Sequence, residues 1–378
     1  MAADAVEKWL KSNQPAIIEG RPMRPLENPR HKGTPLSVAR GQAETFFLTD
    51  PAGAKWILKK FRQDLGVHYL AAVGELLPRH IGFYCGTDRL VVKKTSLSSS
   101  NGCYSGRGFR DWLTGTVLMP RVEGIAWADL ADELRSGERI LCRTDRLRLC
   151  RNLSELIKLL EQAQCAHRDL SSGNVFICLT SGRVSLIDFD CLFHLRLVMP
   201  GTTTSGTEGY IAPFVWCNGR VNPETTWCPN ADRFALALLN TEFLLLGKGS
   251  PLSADGGMFD QCELRNRHGK QLGRAAQRLK GEFSTAFSLF DTAMRSNAFP
   301  ECPSPDAWIK FCDAAEKTKI PSLCEVETLD WADVQAALSS RGRRPASVGF
   351  LGVLVGKFIK QNRPAAATVS LPEDPWRN

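Results

Sequence analysis

The sequence lacks any apolar run long enough to cross a membrane. Its most apolar stretches, residues 234–246 and 348–359, are shorter than the roughly 20 residues that a membrane-spanning helix needs. The first residues, MAADAVEKWLKSNQPA, carry charges at Asp4, Glu7 and Lys8 and do not resemble a secretory signal peptide. These absences predict a soluble intracellular protein without a membrane span.

The sequence also lacks closely spaced pairs of cysteines. The 13 cysteines are scattered singly from Cys85 to Cys324, without a C-x-x-C pair and without a Cys/His cluster at zinc spacing. Thiols such as Cys178 and Cys191 lie in apolar stretches, where a free cysteine behaves as a small hydrophobic residue. This pattern does not indicate a zinc module and favours the reducing cytoplasm.

Internal repeats and long low-complexity tracts are absent from the 378 residues. Hydrophobic residues make up 43% and charged residues 23%, values that are typical of a globular protein. The net charge of +8, from 48 Lys+Arg against 40 Asp+Glu, suits acidic partners or nucleotides but identifies neither. The length is enough for one large two-lobed domain or two ordinary ones.

Hydrophobic patterning divides the chain into a β-rich half and a helical half. Residues 1–34 hold four prolines and mixed charges, which predicts a partly irregular leader. Apolar segments 38–50 and 54–61 flank a Pro/Gly turn and predict a hairpin. Further elements follow from the same patterns: a helix over 67–77, strands over 89–97 and 115–122, a β/loop segment over 174–193, and helices over 147–164, 232–246, 271–295 and 306–317. The arrangement predicts an α+β protein with a cleft between two lobes.

Two short stretches concentrate oxygen ligands. Residues 167–174 read HRDLSSGN, and 14 residues after Asn174 comes Asp188, which opens the sequence DFD. Two carboxylates and an amide oxygen on adjoining loops are hard ligands that suit Mg²⁺ together with phosphates. A separate carboxylate near an acceptor hydroxyl can orient that hydroxyl and take its proton.

The order and spacing of these residues resemble the protein-kinase superfamily, in which H-R-D-L-x-x-x-N is the catalytic-loop signature and D-F-G the metal-binding one. The resemblance implies ATP and Mg²⁺ as cofactors, with Asp169 as catalytic base, Asn174 as ligand of a second magnesium and Asp188 as principal magnesium ligand. It also implies a bilobal protein-kinase-like α+β fold, with a small β-rich N-lobe that has one helix and a larger, mainly helical C-lobe. The implied divisions are an N-terminal extension (1–34), the N-lobe (35–118), the C-lobe (119–318) and a C-terminal extension (319–378).

The resemblance extends to a phosphate-binding lysine. Residues 56–61, WILKKF, resemble the V-A-I-K strand, which implies that Lys59 contacts the phosphates and Ile57 the adenine. Lys60 is the alternative, but that register puts Lys59 where an apolar residue should be. Glu75 is the only acid of the following predicted helix, so it is either the partner of Lys59 or an ordinary solvated charge.

Two further segments match nucleotide-binding parts of the family. Residues 118–124 resemble the hinge, which implies Met119 behind the adenine and a backbone hydrogen bond from Val122 to it. Residues 39–46 stand where the family has its glycine-rich loop, and only Gly41 of that pattern is kept. Backbone amides are therefore expected to approach the phosphates less closely.

Residues 206–213, GTEGYIAP, closely resemble the segment that closes a protein kinase's activation loop and supports a peptide substrate. This resemblance implies a protein substrate, and the Thr207 pattern favours Ser/Thr acceptors. Upstream hydroxyls are phosphorylation candidates, including by the protein's own activity, or merely solvate a mobile loop; they are Thr202, Thr203, Thr204 and Ser205. Arg168 could pair with a phosphate there.

Structural roles are implied for two residues beside the proposed base. His167 belongs to the loop signature, and Asp232 matches the family's buried aspartate that holds the backbone of that loop. An ordinary helix cap explains Asp232 equally well.

Several positions depart from the family. Ser171 replaces the lysine that is typical of serine/threonine kinases, and Asp190 replaces the glycine of D-F-G, which should stiffen that turn. Phe214 replaces the glutamate of A-P-E, and its usual arginine partner corresponds to the region of Cys302. Because both partners are missing together, no buried charge is left orphaned.

Asp169, Asn174 and Asp188 are intact, which favours an active kinase that transfers the γ-phosphate of ATP to Ser/Thr hydroxyls of proteins. The alternatives are a pseudokinase with weak nucleotide binding and a small-molecule phosphotransferase of the same superfamily.

Between Arg265 and Lys280 there are seven basic residues and no acid, which indicates a docking patch or a solvated helix face. No aromatics interleave with these charges, which argues against a nucleic-acid partner.

Overall fold

The computed structural model describes residues 2–40, 43–63, 65–94, 102–106, 108–201, 206–253 and 257–315. These residues fall in two compact units, one with residues 2–74 and 88–121 and the other with residues 75–87 and 122–315. Within these ranges no helix combines the length and the apolar character that a membrane crossing requires.

The described residues mix helices and strands, as an α+β class predicts. In chain order the helices are α1 (Ala2–Ser12), α2 (Val67–Leu76), α3 (Tyr84–Thr87), α4 (Phe109–Leu113), α5 (Trp127–Ser136), α6 (Arg143–Gln162), α7 (Arg233–Leu245), α8 (Gln261–Asn266), α9 (Lys270–Glu282), α10 (Ser284–Arg295) and α11 (Pro305–Ala315). The strands are β1 (Ala16–Ile18), β2 (Arg21–Pro25), β3 (Ser37–Arg40), β4 (Ala43–Thr49), β5 (Lys55–Phe61), β6 (Leu90–Val91), β7 (Val117–Pro120), β8 (Ile125–Ala126), β9 (Cys165–Ala166), β10 (Val175–Ile177), β11 (Val184–Leu186), β12 (Phe193–His194), β13 (Trp216–Cys217) and β14 (Arg220–Val221).

The first unit is built on an antiparallel sheet in the order β1-β2-β4-β5-β7-β6, with β3 also paired to β4. The predicted hairpin is confirmed, since β4 and β5 pair with Phe46 opposite Leu58. The side chain of Asp50 closes its turn by accepting a hydrogen bond from the Ala54 amide at 2.9 Å. The helix expected over 67–77 is also confirmed as α2. Of the strand expected over 89–97, the structure forms only β6, and residues 95–97 lie outside the described residues.

The segment 1–34, predicted as a partly irregular leader, is mostly regular up to Pro25, and no helix or strand forms over 26–34. It forms α1, β1 and β2, and β2 joins the sheet beside β4. Val6 and Trp9 lie three residues apart on one face of α1 and are fully buried in the core with Phe46 and Leu58. Two of the four prolines that indicated irregular chain, Pro22 and Pro25, lie within the short strand β2.

The second unit is organised around α7. Residues Phe234–Leu245 of this helix are all buried, which explains a sequence that is apolar on every side. The segment 271–295, expected as one helix, is instead two helices, because Phe283 leaves helical geometry between α9 and α10 (φ −146°, ψ 70°). The phenyl ring of Phe283 is buried at 6% exposure, so packing of this side chain overrides the helical pattern of its neighbours.

Candidate active site

The loop 167–174 and the Asp188 turn lie together because short strands pair around them. β9, which precedes His167, pairs with β12, and β10, which follows Asn174, pairs with β11, which leads to Asp188. The Ile187 amide donates to the carbonyl of Asn174 at 3.0 Å, which joins the two turns directly. The local sequence thus brings both oxygen-rich stretches to one place in the second unit.

The carboxylate of Asp169 is held from two sides. Thr207 donates its hydroxyl to Oδ1 at 2.7 Å, and Asn174 donates Nδ2 to Oδ2 at 3.2 Å and to the Asp169 carbonyl at 2.8 Å. Since Nδ2 of Asn174 is committed to Asp169, Oδ1 is the atom of Asn174 that remains to bind a cation. Three of the predicted site residues, two of them 38 positions apart, therefore form one constellation.

His167 fixes the loop from inside. The Asp169 amide donates to Nδ1 of His167 at 3.3 Å, so Nε2 carries the proton and donates to the Ile187 carbonyl at 2.7 Å. The imidazole is fully buried and its centroid lies 5.0 Å from that of Phe189. This side chain links the loop of Asp169 to the strand that leads into Asp188.

Asp232 holds the backbone of the same loop. Its carboxylate accepts hydrogen bonds from the amides of His167, at 2.6 Å, and Arg168, at 2.8 Å. The side chain makes no capping bond to its own helix α7, so an ordinary helix cap does not describe it. Burial raises the pKa of Asp232, while its electrostatic interaction with His167 and the hydrogen bonds from the two backbone amides act in the opposite direction.

Arg168 adopts a left-handed backbone conformation, with φ 66°. Its guanidinium is buried at 5% exposure and donates to backbone carbonyls of Cys191 and Thr226. The expectation that Arg168 pairs with a loop phosphate therefore requires that these carbonyls be displaced. The phosphorylation candidates Thr202, Thr203, Thr204 and Ser205 lie outside the described residues.

In the turn formed by residues 188–190, the residue with a left-handed backbone conformation is Asp188 and not Asp190. Asp188 has φ 66° and is half-buried, and a 3₁₀ turn follows from Phe189 to Cys191. Asp190 is not among the residues with positive φ, so this turn does not require the glycine that the family has there. The ring of Phe189 is buried against Phe83, with centroids 5.9 Å apart.

The segment 206–213 borders a pocket that Asp169 and Thr207 line together with Ile211 and Phe299. Gln261 clamps this segment. Its Oε1 accepts from the amides of Gly209 and Ile211, at 2.9 and 3.3 Å, and its Nε2 donates to the Ile211 carbonyl at 2.9 Å. Sequence reasoning missed Gln261, and nothing in the pattern around it would have revealed it.

A buried carboxylate, Glu242, binds the segment 206–213 through Tyr210. It accepts hydrogen bonds from the Tyr210 hydroxyl at 3.0 Å, from Nε1 of Trp127 at 2.8 Å and from the Met258 amide at 2.8 Å. Burial raises the pKa of Glu242, and burial together with the Glu242 charge raises the pKa of Tyr210. Sequence reasoning missed Glu242 too, although it is the only acid of the apolar stretch 233–246, which was a usable signal.

Phe214, which stands where the resemblance implies a glutamate, packs against aromatic rings. The rings of Phe214 and Phe299 meet edge to face, with centroids 4.9 Å apart. Cys302 is buried at 2% exposure, and burial raises its thiol pKa to about 11. Since neither position carries a charged side chain, no buried charge is left without a partner there.

The predicted nucleotide-binding residues of the first unit lie on β5 and β7. Successive side chains of a strand point to opposite faces, so Lys59 and Lys60 face apart. Nζ of Lys60 donates to the carbonyls of Trp112 and Thr114, at 2.6 and 3.2 Å, whereas Nζ of Lys59 lies 5.4 Å from the centroid of Phe61. Lys60 is thus bound to backbone carbonyls of the first unit, and the role of Lys59 as a phosphate ligand stays a prediction.

The remaining predicted residues are placed as follows. Ile57 pairs with Met119 across β5 and β7, and both are half-buried. Val122 is buried, Glu75 is exposed near the end of α2, and Gly41 lies outside the described residues. Within the described ranges no three His, Cys, Asp or Glu side chains cluster as a metal site. The donors of Asn174 and Asp188 are oxygens alone, which fits Mg²⁺ and not zinc.

Comparison with known families identifies the segment that holds this site. Residues 116–278 match the family model described as protein tyrosine and serine/threonine kinase. The matched segment contains the loop 167–174, Asp188, the segment 206–213 and Asp232. No curated protein matches the chain.

Proposed function

Because residues 116–278 belong to the protein kinase superfamily, we propose that the protein is an active kinase that transfers the γ-phosphate of ATP to Ser and Thr hydroxyls of proteins. The fold we propose is the bilobal one of that superfamily, with an N-lobe over 35–118 and a C-lobe over 119–318. Family members use ATP and Mg²⁺, and we propose the same cofactors here.

The observation that carries this proposal is the double restraint on the carboxylate of Asp169. With Oδ1 bound to Thr207 and Oδ2 to Asn174, the carboxylate keeps one orientation without a substrate present. A fixed carboxylate can orient an incoming hydroxyl and accept its proton as the phosphoryl group is transferred. This geometry is the one that an active kinase requires, and it therefore supports activity.

The same contact supports Ser and Thr as acceptors. The Thr207 hydroxyl lies 2.7 Å from Oδ1 of Asp169. The backbone of the segment 206–213 is therefore separated from the proposed base only by the length of a threonine side chain. A peptide on that segment would bring a Ser or Thr hydroxyl to Asp169, whereas a tyrosine ring would carry its hydroxyl beyond it.

The other roles follow the family pattern. Asn174 and Asp188 would hold Mg²⁺, and Lys59, supported by Glu75, would hold the phosphates. Gly41, Ile57, Met119 and Val122 would border the nucleotide. Bound ATP supplies the phosphoryl group, and Mg²⁺ neutralises charge on its phosphates.

A cytoplasmic location is part of the proposal. None of the described cysteines forms a disulfide, and some of them, such as Cys142 and Cys217, are exposed. Free exposed thiols suit a reducing compartment.

The test is transfer of label from ATP, in the presence of Mg²⁺, to the protein itself and to a Ser/Thr/Tyr peptide library. Asp169→Asn should reduce transfer by roughly 10²–10⁴-fold. Asp306→Asn is the matched control, because this carboxylate lies at the surface, paired with Lys158. Mass spectrometry should find phosphoserine and phosphothreonine.

Each alternative predicts a different result. Absence of label with both wild type and Asp169→Asn would support the pseudokinase. Phosphotyrosine alone would overturn the Ser/Thr assignment. ATP turnover that depends on an added metabolite, without labelled protein, would support a small-molecule phosphotransferase.

A further inference from the structure

The chain between the segment 206–213 and α7 folds back onto the loop of Asp169. It begins with the hairpin of β13 and β14 and continues through two turns, in which the Thr226 amide donates to the Pro223 carbonyl at 3.2 Å and the Trp227 amide to the Glu224 carbonyl at 3.0 Å. These turns leave the Thr226 carbonyl and the ring of Trp227 beside the side chain of Arg168.

The turns receive the guanidinium of Arg168. Nε donates to the Thr226 carbonyl at 3.0 Å, and Nη2 donates to the Thr226 hydroxyl at 2.8 Å and to the Pro223 carbonyl at 3.5 Å. Cζ lies 4.6 Å from the ring centroid of Trp227, which is cation–π distance. All three nitrogens are engaged, because Nη1 donates to the Cys191 carbonyl at 3.1 Å.

Arg168 is thereby fixed at both ends. Its amide is bound by Asp232, and its side chain is bound by the turns and by Cys191, which follows the Asp188 turn. Its left-handed backbone conformation is costly for a residue with a side chain and persists where the surroundings enforce it. The next residue is Asp169, so the direction of the Asp169 side chain depends on this conformation.

We propose that Thr226 and Trp227 are positioning residues that act through Arg168 to hold Asp169, so that phosphotransfer needs no phosphate on the hydroxyls at 202–205. The inference rests on the proposed kinase function and adds how the base is kept in place. In kinases that are switched by phosphorylation, new arginine–phosphate pairs order the activation loop. In this protein the guanidinium of Arg168 is already bound by backbone carbonyls, by the Thr226 hydroxyl and by the indole of Trp227.

The first test replaces Trp227. In Trp227→Leu the cation–π contact is lost, and we expect kcat to fall about 10–100-fold while KM for ATP and for peptide changes by less than about threefold. Trp227→Phe keeps an aromatic face and should restore most of kcat. Trp227 also meets the ring of Phe193 edge to face, with centroids 5.2 Å apart, so a role in packing alone would lower the free energy of unfolding of Trp227→Leu and leave kcat of the folded variant near that of wild type.

Trp216→Leu is the matched control. Trp216 is also half-buried and stacks on an arginine at 4.3 Å, but that arginine is Arg265 and not Arg168. The kcat of Trp216→Leu should equal that of wild type. Thr226→Val removes the hydroxyl acceptor and keeps the backbone carbonyl, so kcat should fall less than in Trp227→Leu.

The second test measures wild type after treatment with a phosphatase, with intact-mass spectrometry to establish that no phosphate remains. Initial transfer to peptide should match that of the phosphorylated protein to within about threefold. A rate that rises 100-fold or so only as 202–205 become phosphorylated would overturn the inference and leave the kinase function standing. Full kcat in Trp227→Leu would overturn it as well. If neither form of folded wild type transfers phosphate, the kinase function itself is wrong and this inference falls with it.

Discussion

The hydroxyl of Thr207 donates a hydrogen bond to Oδ1 of Asp169 across 2.7 Å, although the two residues are 38 positions apart. This bond restrains both the proposed base and the segment proposed to carry the substrate. We predict that Thr207→Val lowers kcat for peptide phosphorylation by about 10²-fold, because misplacing a reacting group by roughly 1 Å has an effect of that size. Steady-state kinetics with a Ser/Thr peptide measures it.

Thr207→Ser is the control for that substitution, since it keeps the hydroxyl and removes only a methyl group. It should retain kcat within about threefold. Equal loss in the Val and Ser variants would show that packing of the methyl group, and not the hydrogen bond, matters at this position.

The two amides bound by Asp232 give a second prediction. In Asp232→Asn one carboxylate oxygen becomes an amide nitrogen that cannot accept, so one of the buried amides of His167 and Arg168 loses its partner. We expect the free energy of unfolding to fall by about 2 kcal/mol and kcat to fall with it. Urea denaturation and peptide kinetics provide the measurements.

Asp50→Asn is a matched control for Asp232→Asn. Asp50 also accepts two hydrogen bonds, from the Ala54 amide and from Nε1 of Trp56, but it lies at the β4–β5 turn of the first unit. Asp50→Asn should lower the free energy of unfolding and leave kcat at the value of wild type. A variant of Asp232 with wild-type kcat would mean that the backbone of the loop needs no such anchor.

The parts of the site that the sequence predicted are those whose members lie close along the chain or carry a strong local pattern. Asp169 and Asn174 share one loop, and Asp188 follows a short buried strand. The β4–β5 hairpin was predictable because Asp50 and Gly53 form a turn between two apolar runs. Local propensity and spacing determine such features before any tertiary contact forms.

The parts that the sequence did not reveal depend on distant partners. Gln261 reaches Ile211 from 50 positions away, and Arg168 meets Thr226 across 58. Neither Gln261 nor Thr226 has a neighbour pattern that distinguishes it from an ordinary polar residue. Packing likewise overrode pattern at Phe283, where a buried ring interrupts a segment with continuous helical periodicity.

The N-terminal helix gives a third prediction, because the sequence indicated irregular chain where the structure has core. Trp9 is fully buried, its ring centroid lies 5.2 Å from that of Phe109, and its Nε1 donates to the Gln14 carbonyl at 3.0 Å. Trp9→Ala should lower the free energy of unfolding by about 3–5 kcal/mol through the cavity it leaves. Lys8→Ala, on the exposed side of α1, should change it by less than about 0.5 kcal/mol. Urea denaturation compares the two, and equal effects would contradict burial of α1 against the sheet.

The last prediction concerns the buried carboxyl of Glu242, whose pKa burial raises above its ordinary value of 4.5. Between pH 4.5 and the raised native pKa, the folded state binds more protons than the unfolded state at this group, so its contribution to the free energy of unfolding falls as pH rises. Glu242→Gln has no such titration, and below pH 4.5 its neutral amide resembles the protonated acid. The free energy of unfolding of wild type minus that of Glu242→Gln should therefore decrease steadily as pH is raised through this window. Urea denaturation of both proteins at a series of pH values measures that difference, in which all other titrating groups cancel. A difference that stays constant or increases with pH would mean that the hydrogen bonds from Tyr210, Trp127 and the Met258 amide stabilise the charged carboxylate more than burial destabilises it.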